Sequence, residues 1–202
     1  MSPRRPRISR EFLEDHRRRR YVDATAELLH EFGREGPSVT NVVRIAGTAR
    51  NSFYEVFSGI EDCIAYGADI AVGELFVAVA AEDGEGDWSA EVHRAIAGFY
   101  AAVVAEPILA ELLLIHAAAS RLDRGREASR SAAEGLVALF ARGRAAAEAL
   151  GHRPPPLLAD EYFSRAVVWQ AAHLVRSPQI ATLPDEAEPM AGLVVSRYLG
   201  SE

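Results

Sequence analysis

One segment constrains this chain more than any other: Ser38 to Phe57, SVTNVVRIAGTARNSFYEVF. A short amphipathic helix pattern runs from Val39 to Ala46, a glycine break follows at Gly47-Thr48-Ala49, and a second short pattern runs from Arg50 to Phe57. Ser38 carries the hydroxyl that an N-cap needs. Two short helices joined by a tight turn make a helix-turn-helix, whose second helix can lie in the DNA major groove. On that helix Phe53 and Phe57 stand four apart and face a core. Arg50, Asn51 and Tyr54 are left on the opposite side. Arginine can bond guanine N7 and O6 in a fork, and asparagine can do the same with adenine. Ser52 is placed to reach base or backbone, and Thr40 and Asn41 at the start of the first motif helix can hold phosphate.

The rest of the chain reads as helices. Residues 1–16 are expected to be a flexible basic arm with Pro3, Pro6 and four arginines. From about Arg17 to Gly33 an apolar stripe of Val22, Ala26, Leu29 and Phe32 predicts a helix, ended by Gly33 or Gly36 and Pro37. Ser58-Gly59-Ile60-Glu61 matches a capping box and opens a long helix to about Ala81. Glu82 to Asp87 reads as a loop. Further helices are predicted over 88–105, 107–119, 124–150, 159–176 and 187–199, with Pro107 in a first turn and Pro154-Pro155-Pro156 as a stiff linker. The count is nine helices, with no convincing strand and no internal repeat. The fold class is all-α, with a three-helix head over 17–59 and a bundle of about six helices over 60–202.

Charge divides the chain the same way. Residues 1–60 hold 11 Arg against 8 Asp and Glu, whereas residues 61–202 hold 11 Arg against 21 acidic residues. A positive end beside a reading motif is what phosphate attraction requires. All 22 basic residues are Arg, which with the alanine richness reads as a coding bias. No apolar run nears the ~20 residues that span a bilayer, and no secretory signal precedes the head, so no membrane partner and a cytoplasmic location are expected. The single cysteine, Cys63, excludes an intrachain disulfide. It is expected to be a core residue.

At this point the chain resembles the TetR-type (tetracycline-repressor-like) transcriptional regulators. The resemblance covers about the first 65 residues: an arm and helix ending in LLHEFG, then SVTNVVRIAG, then RNSFYEVFSGIED. Phe32, Ala46, Gly47, Phe53, Tyr54, Phe57 and Glu61 sit at the family's characteristic places. Three positions depart from the pattern. Ala49 stands where a capping serine is usual, Val56 where a histidine is, and Ile60 where a lysine is. The His and Lys commonly touch phosphate, and Glu55 adds a negative charge beside the groove, so Arg18 and Arg20 in the Arg17–Arg20 run are expected to take over backbone contacts.

The resemblance implies a dimer on a palindromic operator, released by a small-molecule effector, most simply as a repressor. One head offers too few base contacts for useful specificity. The dimer candidates are Phe163, Val167, Gln170 and Leu174 on one helix and Met190, Leu193 and Val194 on the next. On the first helix a neighbouring stripe holds Tyr162, Ala166, Trp169 and His173. Effector candidates are Tyr66, Phe76, Phe99, Tyr100, His116 and Phe140, aromatic or polar residues of the body. The ligand itself is not readable.

Other classes fit the sequence less well. Glu27-Leu28-Leu29-His30 is a Glu-x-x-His step of the kind di-iron bundles use, but no second step accompanies it. No P-loop, zinc spacing or Ser/His/Asp set is present. No enzyme activity, cofactor or metal ion is expected. The alternative is a helical dimeric interaction protein whose DNA-binding head has weakened.

Overall fold

A computed structural model describes residues 10–80 and 87–200. The described residues hold nine α-helices of five residues or more and no strand. The head contains α1 (Arg10–Phe32), α2 (Val39–Ile45) and α3 (Arg50–Tyr54). The body contains α4 (Ile60–Leu75), α5 (Trp88–Ala105), α6 (Pro107–Glu111), α7 (Asp123–Ala149), α8 (Leu158–Leu174) and α9 (Ala187–Leu199). Beyond Glu111 the α6 backbone continues as a π-helix over Leu112–Ala117, and a 3₁₀ stretch, Ile180–Glu186, leads into α9. Residues 1–9 of the expected arm and most of the expected 82–87 loop lie outside the described residues.

Several expectations are corrected. Helix α1 begins at Arg10, so part of the stretch expected to be an arm is already helical. Its stripe buries Val22, Ala26 and Leu29, but Phe32 is 59% exposed because the chain leaves the helix there and turns away through Gly33. The helix expected from Ile60 to Ala81 ends at Leu75, and a separate helical turn forms at Val77–Ala80. Glu61 does not close the expected capping box. The Ser58 amide and hydroxyl instead donate to Asp62 Oδ2 at 2.9 and 3.1 Å. Glu61 is drawn away by the Ser120 hydroxyl at 2.7 Å and by Arg34 at 2.7 Å.

The N-cap of α2 is Ser38, whose hydroxyl accepts the Asn41 amide at 3.2 Å. Its far end turns at Gly47, with φ +62, a left-handed conformation that glycine adopts without strain. Helix α3 starts at Ala49 with no side-chain cap, so five residues hold their shape by packing. Phe53 and Phe57 supply it. Their rings lie 5.6 Å apart, and Tyr21 of α1 meets Phe53 edge-on at 5.2 Å.

The same α1 also packs on α4, α6 and the π segment, so one core runs from head to body. Within the body α7 lies against α4 and α8, while α9 covers α5. Trp88 is seated where α7 has Gly143, and its indole N–H donates to the Leu139 carbonyl at 2.9 Å. No single described helix is long and apolar enough to cross a membrane.

Cys63 is fully buried, with its sulfur 3.4 Å from the Thr25 hydroxyl. Burial pushes the thiol up to about 12, against a small lowering by Thr25. A thiolate is the reactive form. The folded protein is therefore expected to resist a disulfide-exchange reagent at mildly alkaline pH and to react fully once denaturant unfolds it. Ready reaction of the native chain would contradict the packing described.

Candidate nucleic-acid interface

The outer face of α3 presents Arg50, Asn51 and Tyr54 to solvent, with Ser52 half-exposed beside them. Tyr54 is 49% exposed. Arg50 reaches forward one turn, its guanidinium donating to the Tyr54 hydroxyl at 3.4 Å and lying 5.8 Å from the ring centroid. This contact pre-orders a long side chain without tying up its whole donor fork. Thr40 is exposed at the start of α2, and the Asn41 side-chain amide donates to the Gly36 carbonyl at 3.2 Å. Arg50, Asn51, Tyr54 and Thr40 are thus exposed, whereas the Asn41 side chain is turned back onto the chain.

The Arg17–Arg20 run behaves differently from the expectation. Each of its four guanidinium groups has a partner within the chain. Arg17 donates to Glu55 at 2.8 Å, so the acidic residue that follows α3 is paired from α1. Arg18 pairs with Asp15 at 3.2 Å and lies 5.8 Å from the Tyr66 ring centroid. Arg19 bonds Asp23 at 2.9 Å and pairs with Glu74. Arg20 donates to the Ala46 carbonyl and so closes the end of α2. Arg18 and Arg20, expected to reach DNA, are here engaged with the protein.

Most of the expected effector residues are core residues. Phe99, Tyr100 and Phe140 are fully buried, and Phe76 packs on Phe99 at 4.4 Å. The Tyr100 hydroxyl donates to Gln170 Oε1 at 2.8 Å. Tyr66 sits at the junction of head and body, its ring 5.5 Å from Phe57. A cleft lies elsewhere, between α7 and α8, with a volume of about 680 Å³. Leu114, Ala133, Val137 and Val168 make an apolar wall, with Trp169 at the side, and the charged residues Arg130, Glu134, Glu161 and Arg165 also line it. Ser164 lines it, and its hydroxyl is buried without a hydrogen-bond partner.

The expected dimer residues also divide. Val167 and Val194 are fully buried in the chain's own core, and Gln170 is held by Tyr100. Phe163, Leu174 and Met190 are half-buried. Leu193 faces outward at 61% exposure. The neighbouring stripe is the open one. Tyr162 is 67% and Trp169 65% exposed, and Trp169 stacks on His173 with centroids 5.1 Å apart.

A polar network that the sequence did not disclose ties the head to the body. Glu111 is 1% exposed, yet it accepts from His30 Nδ1 at 2.7 Å and His116 Nε2 at 3.0 Å, with Arg176 Nε at 3.5 Å. Burial opposes ionisation of Glu111, but the two imidazole bonds and the Arg176 charge together hold its carboxyl below the ordinary range. Glu61 is likewise lowered, because the Ser120 hydroxyl, the Arg121 amide and Arg34 outweigh its burial. A carboxyl that ionises more readily when folded contributes stability above its unfolded value, near 4.5, and loses it as pH falls through the lower folded value. Urea unfolding is expected to show stability falling as pH drops below that range. The pH slope should be shallower in Glu111→Gln and Glu61→Gln. A slope equal to that of the parent would refute the role given to these carboxylates.

No protein-family model matches the sequence, and no curated protein matches it either. Solved structures do match. FadR, the fatty acid degradation regulator of Bacillus halodurans, has a TM-score of 0.73 at 16% identity, over 89% of this chain and 94% of that one. FadR of Bacillus subtilis, solved with stearoyl-CoA, has 0.68 at 16%, over 89% and 98%. The TetR-family regulator PfmR of Thermus thermophilus has 0.68 at 17%, over 87% and 97%. The chain therefore has the fold of the TetR-type transcriptional regulators.

Proposed function

We propose that the chain is a transcriptional regulator that binds a palindromic DNA operator as a homodimer and is released by a small-molecule effector. The observation that carries this reading is the outward face of α3, where Arg50, Asn51 and Tyr54 stand together while Phe53 and Phe57 fix the helix from behind. Repression is the simplest outcome for such a head, because occupancy of an operator blocks transcription until the effector arrives. The dimer face is assigned to the outer sides of α8 and α9, where Tyr162, Trp169 and Leu193 leave an apolar surface open. Two heads held by a two-fold axis would then meet two half-sites about one helical turn apart.

Selection of bound sequences from random DNA tests the reading. A palindromic consensus with half-sites spaced by one turn, bound with a steep salt dependence, is expected. Recovery of no consensus would favour the alternative of a helical interaction protein with a weakened head.

The effector site is assigned to the cleft between α7 and α8. A volume of about 680 Å³ falls within the range of small-molecule pockets. Its apolar stretch, the buried Ser164 hydroxyl and the charged residues Arg130, Glu134, Glu161 and Arg165 on its lining suit a ligand with an apolar body and a polar or charged end. Stearoyl-CoA, held by the Bacillus subtilis structure, has a long apolar chain and is the probe to try first. Titration is expected to change Trp169 fluorescence and to release the operator. Ala133→Trp, which fills the cleft, should abolish both responses while leaving DNA binding intact. An unaltered response in Ala133→Trp would place the effector elsewhere.

A further inference from the structure

The segment Leu112–Ala117 is wound as a π-helix, six residues long, in the middle of an otherwise α-helical body. π-helices make up well under 1% of residues and usually occur as single turns at functional sites. Such a turn needs something to hold it, because the α register would give better-packed backbone bonds. Here the holder is a side-chain pair. In a π-helix residues five apart stack on the same face, and Glu111 and His116 are five apart. That stacking brings His116 Nε2 to 3.0 Å from Glu111 Oε1. In an α-helix the same two residues would point about 140° away from each other.

The pair is joined to the head at two points. His30 of α1 shares the Glu111 carboxylate at 2.7 Å. Arg34, just beyond α1, donates to the backbone carbonyl of His116 at 2.9 Å and to Glu61 at 2.7 Å. A carboxylate only accepts, so both imidazoles must donate to it, and all three groups depend on one arrangement. The segment is also apolar almost all round: Leu112, Leu113 and Leu114 are buried in this register, and no polar side chain but His116 would be stranded by another. Leu114 forms part of the wall of the α7–α8 cleft.

We propose that Leu112–Ala117 is a two-register element: wound as a π-helix it locks α1 to the body through Glu111, His116 and Arg34, and rewound as an α-helix it releases the head. Rotation of the segment swings His116 off Glu111 and carries the His116 carbonyl away from Arg34. Leu114 turns with it, so an occupant of the cleft that prefers one position of Leu114 selects one register. This deepens the regulator reading and rests on it for its effect on DNA, but not for the lock itself.

Two variants push the element in opposite directions. His116→Leu removes the side chain that holds the π turn without touching Arg34, whose bond is to the backbone of that residue. Deleting Ile115, a half-buried residue outside the network, makes Glu111 and His116 four apart, so their contact survives in a plain α-helix and no second register remains. Amide hydrogen exchange over residues 28–34 reads the lock, with residues 92–103 as the internal control. His116→Leu is expected to speed exchange over 28–34 by tenfold or more, and the deletion to slow it, with the control unchanged in both. A head released by His116→Leu should also change affinity for the selected operator at least fivefold, opposite in sign to the deletion. If the deletion variant does not fold, Arg34→Gln replaces it. Arg34→Gln should match His116→Leu, and the double variant should add nothing further.

Exchange over 28–34 that is unchanged in His116→Leu, shifted the same way by His116→Leu and the Ile115 deletion, or, where Arg34→Gln stands in, sped further by the double variant than by either single one, overturns the two-register proposal whatever the DNA result. Opposite exchange shifts in a protein that selects no DNA sequence would sustain the lock and overturn the regulator reading alone.

Discussion

Replacing Arg50 and Asn51 together with alanine is expected to reduce operator binding to the level of random DNA, with thermal unfolding unchanged. Both side chains are exposed on α3 and touch nothing that the head's core needs, since Phe53, Phe57 and Tyr21 hold the helix from the other side. Each bidentate base contact is worth about 1–3 kcal/mol of discrimination. A dimer that loses two such contacts per head falls by roughly 10³-fold, the lower end of the gap between specific and non-specific binding. Arg50→Ala alone should also loosen Tyr54, because the Arg50 guanidinium packs against that ring. Binding to non-specific DNA should fall little, because fixed phosphate contacts do not read sequence. Fluorescence anisotropy on operator and scrambled duplexes separates the two terms. Equal operator affinity in parent and double variant would remove α3 from the interface.

The second large effect is structural. Gly143→Val is expected to destabilise the protein by roughly 2–6 kcal/mol, the sum of overpacking and an unpaired buried donor, lowering the thermal midpoint by about 10 °C. A Cβ at position 143 would overlap the six-membered ring of Trp88, and Trp88 has no room to retreat. Its N–H is committed to Leu139 at 2.9 Å, and its ring lies 5.0 Å from that of Tyr198. Displacing the indole therefore costs its packing and leaves a buried donor unpaired. The only other tryptophan is the exposed Trp169, so a red shift of the buried emission reports the displacement directly. A variant as stable as the parent, with unshifted emission, would show that α5 and α7 do not approach as described.

The head was legible because its information is local. A spacing of four puts Phe53 and Phe57 on one side, and what remains between them must face out. The serine cap, the glycine turn and the lengths of α5, α8 and α9 follow from rules that operate within a few residues. The body was legible as helices but not as a site. Aromatic residues suggest pocket walls, yet Phe99, Tyr100 and Phe140 fill space and make none. The cleft is instead left by small residues such as Ala133, and an absence of bulk between two helices has no signature in either helix alone. Periodicity could not distinguish the two stripes of α8 either, because both are apolar and only the packing of neighbouring helices, α7 foremost, decides which one is covered. The network around Glu111 joins residues 81 positions apart, and the π turn hides in LLLI, a run that is apolar in every register.

Helix α1 carries a last implication. Its 23 residues span about 34 Å, and one surface of it serves both halves of the protein: Tyr21 packs on Phe53 in the head, and Val22 lies against Gly67 of α4. The boundary near residue 60 is thus a boundary in sequence but not in packing. A head cut there and joined to a foreign body would carry a bare apolar flank, and a body without α1 would be left with an open trench. Engineered chimeras of this chain should exchange specificity by replacing the exposed residues of α3 in place, since the DNA-reading unit is not a cartridge that can be lifted out whole.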